Sequence, residues 1–183
     1  MKLAAVAIFV AGALCAQIGH PAANADSVLV QDFEKRVAGY LQLRKSIESN
    51  LTKLRSTPSQ EKISHHETEL RHAVREARKN AGPGDIFTPG IAAEIRRLIG
   101  IAMQPSDGNH IAQSLRHAEP VQLHLEINER YPESVPLQST PPSLLENLPP
   151  LPAEIEYRIT GTDLVLLDAK ANLIVDIIRG VFS

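Results

Sequence analysis

Three side chains able to hold a metal ion sit in one short stretch of the sequence: His65, Glu69 and His72, spaced i, i+4 and i+7. At about 3.6 residues per turn, that spacing brings all three to one face of a helix. Imidazole nitrogen and carboxylate oxygen suit zinc, nickel or copper, and Ile63, Leu70 and Val74 mark the opposite, apolar face. The competing reading is a solvated polar face, because a metal site calls for a fourth ligand and for groups that orient the others. No such residues stand at a readable spacing. His66 falls on the border of the apolar stripe and is expected to pack. His110 and His117 are also seven apart, but Ser114 stands between them in place of a carboxylate.

Hydrolytic chemistry needs a nucleophile, a base and an orienting group in contact, and neither G-x-S-x-G nor H-E-x-x-H occurs. The acidic pairs Glu126 with Glu129 and Glu154 with Glu156 have the right chemistry for acid/base work, but nothing in their surroundings sets them apart from surface carboxylates. The balance leans away from an enzyme. Asp163, Asp168 and Asp176 border apolar runs, where aspartate ordinarily bonds the local backbone of a turn, and they lack the dense D-x-D-x-D-G spacing of a calcium loop. Arg96-Arg97 and the run Arg71, Arg75, Arg78, Lys79 make basic patches, while residues 119–157 hold seven glutamates against Arg130 alone. These patches are read as solvated surface, with docking of one on the other as the alternative.

Composition and address narrow the classes further. Lys2, an apolar run over 3–16 and Ala23-Asn24-Ala25 form the pattern of a cleaved export signal over residues 1–25. Cleavage there would remove Cys15, the single cysteine, leaving no thiol for disulfides, metal binding or catalysis. The apolar run is too short for a membrane anchor, so an exported protein of the periplasm or extracellular space is expected, with no stable anchor after cleavage. Losing Lys2 leaves 18 basic against 21 acidic residues, a net of −3, which gives no global attraction to nucleic acid. Aromatic residues make up 4% and tryptophan is absent, so a core must come from aliphatic side chains and few rings are available for stacking.

The elements that must carry these residues follow from periodicity. Over 27–55, Val30, Phe33, Val37, Tyr40, Ile47, Leu51 and Leu54 recur at three- and four-residue steps, and Arg44 alone interrupts the stripe. Thr57-Pro58-Ser59 ends that helix and caps a second over 60–80, with Ile63, Leu70, Val74 and Ala77 on its face, giving an antiparallel hairpin. Gly82-Pro83-Gly84 stops it. Thr88-Pro89 starts a third helix with Ile91, Ile95, Leu98, Ile99 and Ala102 along one side, and a shorter one is expected over 109–118. The period then changes to two over 121–128, the sign of one half-buried strand. A proline-rich loop follows, with one helical turn after Ser143. Three alternating runs at 154–160, 163–168 and 173–178, separated by Gly161-Thr162 and by 169–172, read as an antiparallel meander.

Several of these stretches together carry a likeness. Gly84-Asp85-Ile86-Phe87-Thr88-Pro89, Tyr131-Pro132, Pro141-Pro142-Ser143-Leu144-Leu145, Leu148-Pro149-Pro150-Leu151-Pro152, Glu156-Tyr157-Arg158 and Asn172-Leu173-Ile174-Val175-Asp176 resemble a family of uncharacterised exported bacterial proteins found especially in acidobacteria. The resemblance implies a signal peptide and a shared α+β fold; it brings no catalytic residues, because the family has no assigned activity. The final hairpin, from Tyr157-Arg158 to Val175-Asp176-Ile177-Ile178, is also similar to the C-terminal strands of RcnB-like periplasmic proteins.

The expectation is an α+β fold: an N-terminal helical hairpin plus two shorter helices in 26–118, then in 119–183 a strand, a proline-rich loop and a C-terminal three-stranded antiparallel meander packed with the helices as one domain. The function read from this is a non-catalytic exported binding or interaction protein of the bacterial cell envelope. The alternatives are a periplasmic metal-binding or metal-stress protein using His65, Glu69 and His72, and an undetected hydrolase. No cofactor is expected. The partner is a protein, with a homodimer through the hairpin as one form of it.

Overall fold

The computed structural model describes residues 25–54, 56–104, 125–132 and 142–182. Within them the chain forms α1 (Ala25–Ser49), α2 (Gln60–Ala77), α3 (Pro89–Ala102), a single turn α4 (Pro142–Leu145), and strands β1 (Ile155–Thr160), β2 (Asp163–Asp168) and β3 (Leu173–Ile178). The fold is α+β, with one antiparallel sheet ordered β1-β2-β3. The expected helix over 109–118, with His110 and His117, lies outside the described residues. So do residues 1–24 and the first part of the expected strand, 121–124.

The helices form where the apolar steps place them, and their ends are set by local chemistry. Ser59 caps α2 by accepting the Lys62 N–H. Thr88 stands at the cap position of α3 but its hydroxyl makes no capping bond; Pro89 at the first helical position has no N–H to satisfy and holds Thr88 extended. α1 stops at Ser49 rather than at 55. Ser49 Oγ and Asn50 Nδ2 both bond the Ser46 carbonyl, and the Asn50 and Leu51 N–H groups reach back only three residues, to Ile47 and Glu48, so local polar side chains close the helix. α2 runs antiparallel to α1, since His66 faces Glu48 while Arg78 lies over the Tyr40 ring at 5.1 Å.

The meander has the predicted strands almost to the residue. Gly161, with φ +57, stands first in the two-residue β1–β2 turn, the arrangement of a type II′ hairpin. Asn172, with φ +46, closes the β2–β3 loop, where Asp168 Oδ1 accepts the Lys170 and Ala171 N–H groups at 2.9 and 3.0 Å. β3 contains a bulge: Leu166 pairs with Asp176 but Leu167 pairs with Ile174, leaving Val175 as the extra residue. The bulge turns Val175 and Asp176 toward the same side. Ile159, Leu164, Leu166, Leu173, Val175 and Ile178 therefore share a core with Phe33, Val37, Leu70, Val74, Ile95 and Ile99 of the helices. Val165, Leu167, Ile174 and Ile177 face the other way and are covered by Leu125 and Tyr131.

That second cover corrects the expected strand over 121–128. Its described part, 125–128, is irregular and ends in a turn with Asn128 at φ +66. The segment meets β3 and the turn before it through an isolated bridge, Arg130 with Leu173, and through backbone bonds from the Asn128 N–H to the Ile174 carbonyl, the Ile174 N–H to the Glu129 carbonyl and the Tyr131 N–H to the Asn172 carbonyl. The reason is tertiary. Arg78 Nη1 donates to Asn128 Oδ1 at 2.9 Å and Asn128 Nδ2 donates back to the Arg78 carbonyl at 2.5 Å, a clasp that holds Asn128 in the left-handed region. Arg75 also pairs with Glu129 at 2.6 Å. Part of the basic run thus docks on the 126–130 turn, against the expectation of a solvated surface.

Asp176 is likewise not a turn residue. It lies inside β3 with no solvent exposure, and its carboxylate accepts N–H groups from Gly84, Ile86, Phe87 and Ile177 at 3.4, 2.9, 2.8 and 2.8 Å. The bulge carbonyl of Val175 accepts from Arg78 Nη2 at 3.1 Å. The loop that ends α2 and starts α3 is therefore pinned to the sheet, and Phe87 stacks on Phe33 with ring centroids 5.7 Å apart.

Asp176→Ala strands several buried N–H donors and is expected to cost about 3–5 kcal/mol, because bonds to a charged acceptor are worth about 1.5–3 kcal/mol each. Asp163→Ala, at the start of the central strand β2 with Arg179 and Gly180 as partners, should cost about 1 kcal/mol or less; urea unfolding of both variants checks the contrast. A second outcome follows from Tyr40 and Tyr157, whose phenols burial pushes well above the ordinary value of 10.0. Their contribution is intact below the unfolded-state pKa and is lost as pH rises above about 10, where only the unfolded chain ionises, so the urea midpoint should fall steeply across that range. Tyr157→Phe should make the fall shallower.

Candidate functional site

Because α1 ends early, residues 50–54 and 56–59 belong to an open connection from one helix to the next instead of a tight turn. Between this connection and the start of α2 lies a cleft of about 670 Å³, and beside it a second of about 500 Å³. Lys53, Leu54 and His66 line both, so the two are lobes of one groove at the connected end of the hairpin. The outer lobe is walled by Glu61, Lys62, His65 and Glu69 from α2. The inner lobe is walled by Lys45, Glu48 and Ser49 from α1 and by Lys170 from the β2–β3 loop.

Of the candidate metal ligands, His65 and Glu69 both line the outer lobe, with His65 Nδ1 3.5 Å from Glu69 Oε2. His72 is exposed on the next turns of α2 and is not among the groove residues. Among the described residues no three histidine, aspartate, glutamate or cysteine side chains come together as a metal-holding group. His66, expected to pack, is largely covered and does turn inward, but toward the Glu48 carboxylate at 4.0 Å. The acid pairs are engaged elsewhere: Glu129 with Arg75, Glu154 with Arg44 and Lys45, and Glu156 with Arg158.

Beneath the inner lobe lies the residue that interrupts the α1 stripe. Arg44 is 1% exposed, and three carboxylates stand around its guanidinium: Asp168 Oδ2 at 3.3 Å from Nε, Glu154 Oε1 at 3.5 Å from Nη2 and Glu48 Oε2 at 3.8 Å from Nη1. Nε and Nη1 find no hydrogen-bond acceptor among the described residues. Asp168 also accepts the Tyr40 hydroxyl at 2.7 Å, which, with burial and the Asp168 charge, keeps that phenol protonated. Glu48 continues outward to Lys170. One chain of charges therefore runs from the sheet through Arg44 and Glu48 into the groove.

Sequence reasoning missed Glu48, Lys53 and Lys170 because each reads as an ordinary surface charge. Arg44 carried a visible signal, a cation in an apolar register. Ser59 and Lys62 have the S-x-x-K spacing of some serine nucleophiles, also passed over, and here the Ser59 hydroxyl faces the Lys62 backbone N–H as a helix cap.

Comparison with known proteins gives no match: no family model, no curated protein and no solved structure matches this chain.

Arg44→Met should destabilise by about 3 kcal/mol, since removing one partner leaves Asp168 as a buried charge without its cation. Asp168 keeps its bonds from Tyr40, Lys170 and Ala171, which limits the loss. The double variant Arg44→Met, Asp168→Asn should be more stable than the sum of the single changes, by 1 kcal/mol or more on the scale of about 0.5–3 kcal/mol seen for coupled neighbours. A double-mutant cycle in urea measures this.

Proposed function

We propose that this chain is an exported, non-catalytic binding protein of the bacterial cell envelope, and that the groove at the connected end of the α1–α2 hairpin is its binding seat. The observation that carries the reading is the division of labour among polar groups. Of the buried charged groups, Arg44, Arg78, Asp168 and Asp176 join helices to sheet, whereas Lys45, Glu48, Lys53, Glu61, Lys62, His65, Glu69 and Lys170 come together on the groove. Leu54 and Ile63, at 41% and 39% exposure, place apolar surface at the same end, while the α1 stripe from Phe33 to Arg44 and the α2 residues Leu70 and Val74 are buried internally. A partner that uses the hairpin, a second copy included, meets it at this tip. The export pattern over residues 1–25 supplies the address.

Affinity capture from a periplasmic extract, with wild type and a Lys53→Glu, Ile63→Asp variant side by side, tests the seat. A partner retained by wild type and lost by the variant is the expected result; equal retention by both moves the seat elsewhere. Calorimetric titration with zinc and nickel addresses the metal reading, for which the His65–Glu69 contact is the supporting geometry. Saturable micromolar binding that disappears in His65→Ala would replace the proposal.

A further inference from the structure

We infer that the inner lobe of the groove is a site for the oxyanion of a small molecule, a carboxylate or a phosphate. This deepens the binding reading above and rests on it. Lys45, Lys53 and Lys170 border a space of about 500 Å³ with His66, and Glu48 is the single carboxylate on its wall. The whole chain carries a net charge of −2, so this local excess of cations is not an average of composition.

Two of the lysines are held in place: Lys170 by Glu48 and Lys45 by Glu154 at 3.6 Å. Lys53 makes no ion pair with a described residue and stands between the lobes. The second, independent observation lies underneath. The Arg44 guanidinium is almost wholly buried, its Nε and Nη1 lack acceptors, and Nη1 faces the Glu48 that borders the lobe. Of the three carboxylates around it, Glu154 and Glu48 are shared with Lys45 and Lys170 while Asp168 is not, so Arg44, Lys45, Lys53 and Lys170 outnumber Asp168, Glu154 and Glu48 by one charge and leave positive potential at the lobe.

An oxyanion in the lobe meets ammonium donors at fixed positions, and charge-assisted bonds of this kind are the strong ones. Leu54 gives the ligand body an apolar wall and the Ser49 hydroxyl lies within the same lining. The volume suits a small organic acid or phosphate ester rather than a large ligand.

The test is a titration of the purified protein with inorganic phosphate and, separately, with glutarate, each at constant ionic strength so that general screening does not change. Backbone amide shifts in nuclear magnetic resonance report the site. The expected result is saturable movement around Lys53, His66 and Lys170 with a Kd of about 1 mM or tighter for at least one probe. Lys53→Gln should weaken it about tenfold, the loss of one charge-assisted bond, while Lys35→Gln, exposed on α1 and outside both lobes, leaves it unchanged. Response to phosphate alone assigns phosphate esters, to glutarate alone carboxylates, and to both an oxyanion of either kind. No saturable shift with either probe, or equal weakening by Lys53→Gln and Lys35→Gln, overturns the inference. In that event partner capture that still depends on the groove would leave the binding reading standing, so the two failures are separable.

Discussion

A carboxylate cut off from water must be surrounded by donors, and this constraint organises the molecule. Asp168 and Asp176 are both fully buried on the helix-facing side of the meander. An ionised carboxylate without partners in such a place is untenable, so helices and loops have to bring donors to the sheet. For Asp176 the donors are backbone N–H groups of the segment between α2 and α3. For Asp168 they are Tyr40 and the β2–β3 loop, with Arg44 supplying the opposite charge. The two aspartates thus set the position of α1, of the end of α2 and of the start of α3, which apolar packing alone would leave free to slide.

The bulge in β3 is the device that makes this possible. A regular strand would point Asp176 at the opposite face from Val175. With one extra residue both turn toward the helices, and the carbonyl released from the ladder finds Arg78. Arg78 also clasps Asn128 and lies over Tyr40, so one guanidinium ties α1, α2, the 126–130 turn and β3 together. Burial draws its pKa down from the ordinary arginine value, opposed by Tyr40, Asp85 and Asp176, and the side chain remains a cation.

At the far end of the hairpin these ties stop, and the groove opens there. Arg44 is the transition: on its inner side it neutralises Asp168, and on its outer side it meets Glu48, which borders the inner lobe and holds Lys170. Ligand charge placed in the lobe would therefore be felt by a group that anchors α1 to the sheet. This link between groove and scaffold distinguishes the groove from a concave surface beside β1, where Tyr157 donates to the Pro149 carbonyl and the proline-rich approach packs on the sheet.

By itself the sequence determined the class of fold, the three helices and the meander, because apolar periodicity and turn chemistry are local properties that survive without tertiary context. Gly161 and Asn172 mark the two turns in the linear chain, and Ser59 marks the start of α2. Only the tertiary structure decided what the polar residues do. Asp176 reads as a turn former until the bulge and the 84–87 loop give it four backbone donors, Asn128 reads as the end of a strand until Arg78 clasps it, and Arg44 reads as a defect until Asp168 and Tyr40 arrive beneath it. The groove was hidden for the same reason: Lys170 is distant in sequence from Lys45 and Lys53, and the charge of a lysine carries no information about its neighbours until the chain has folded.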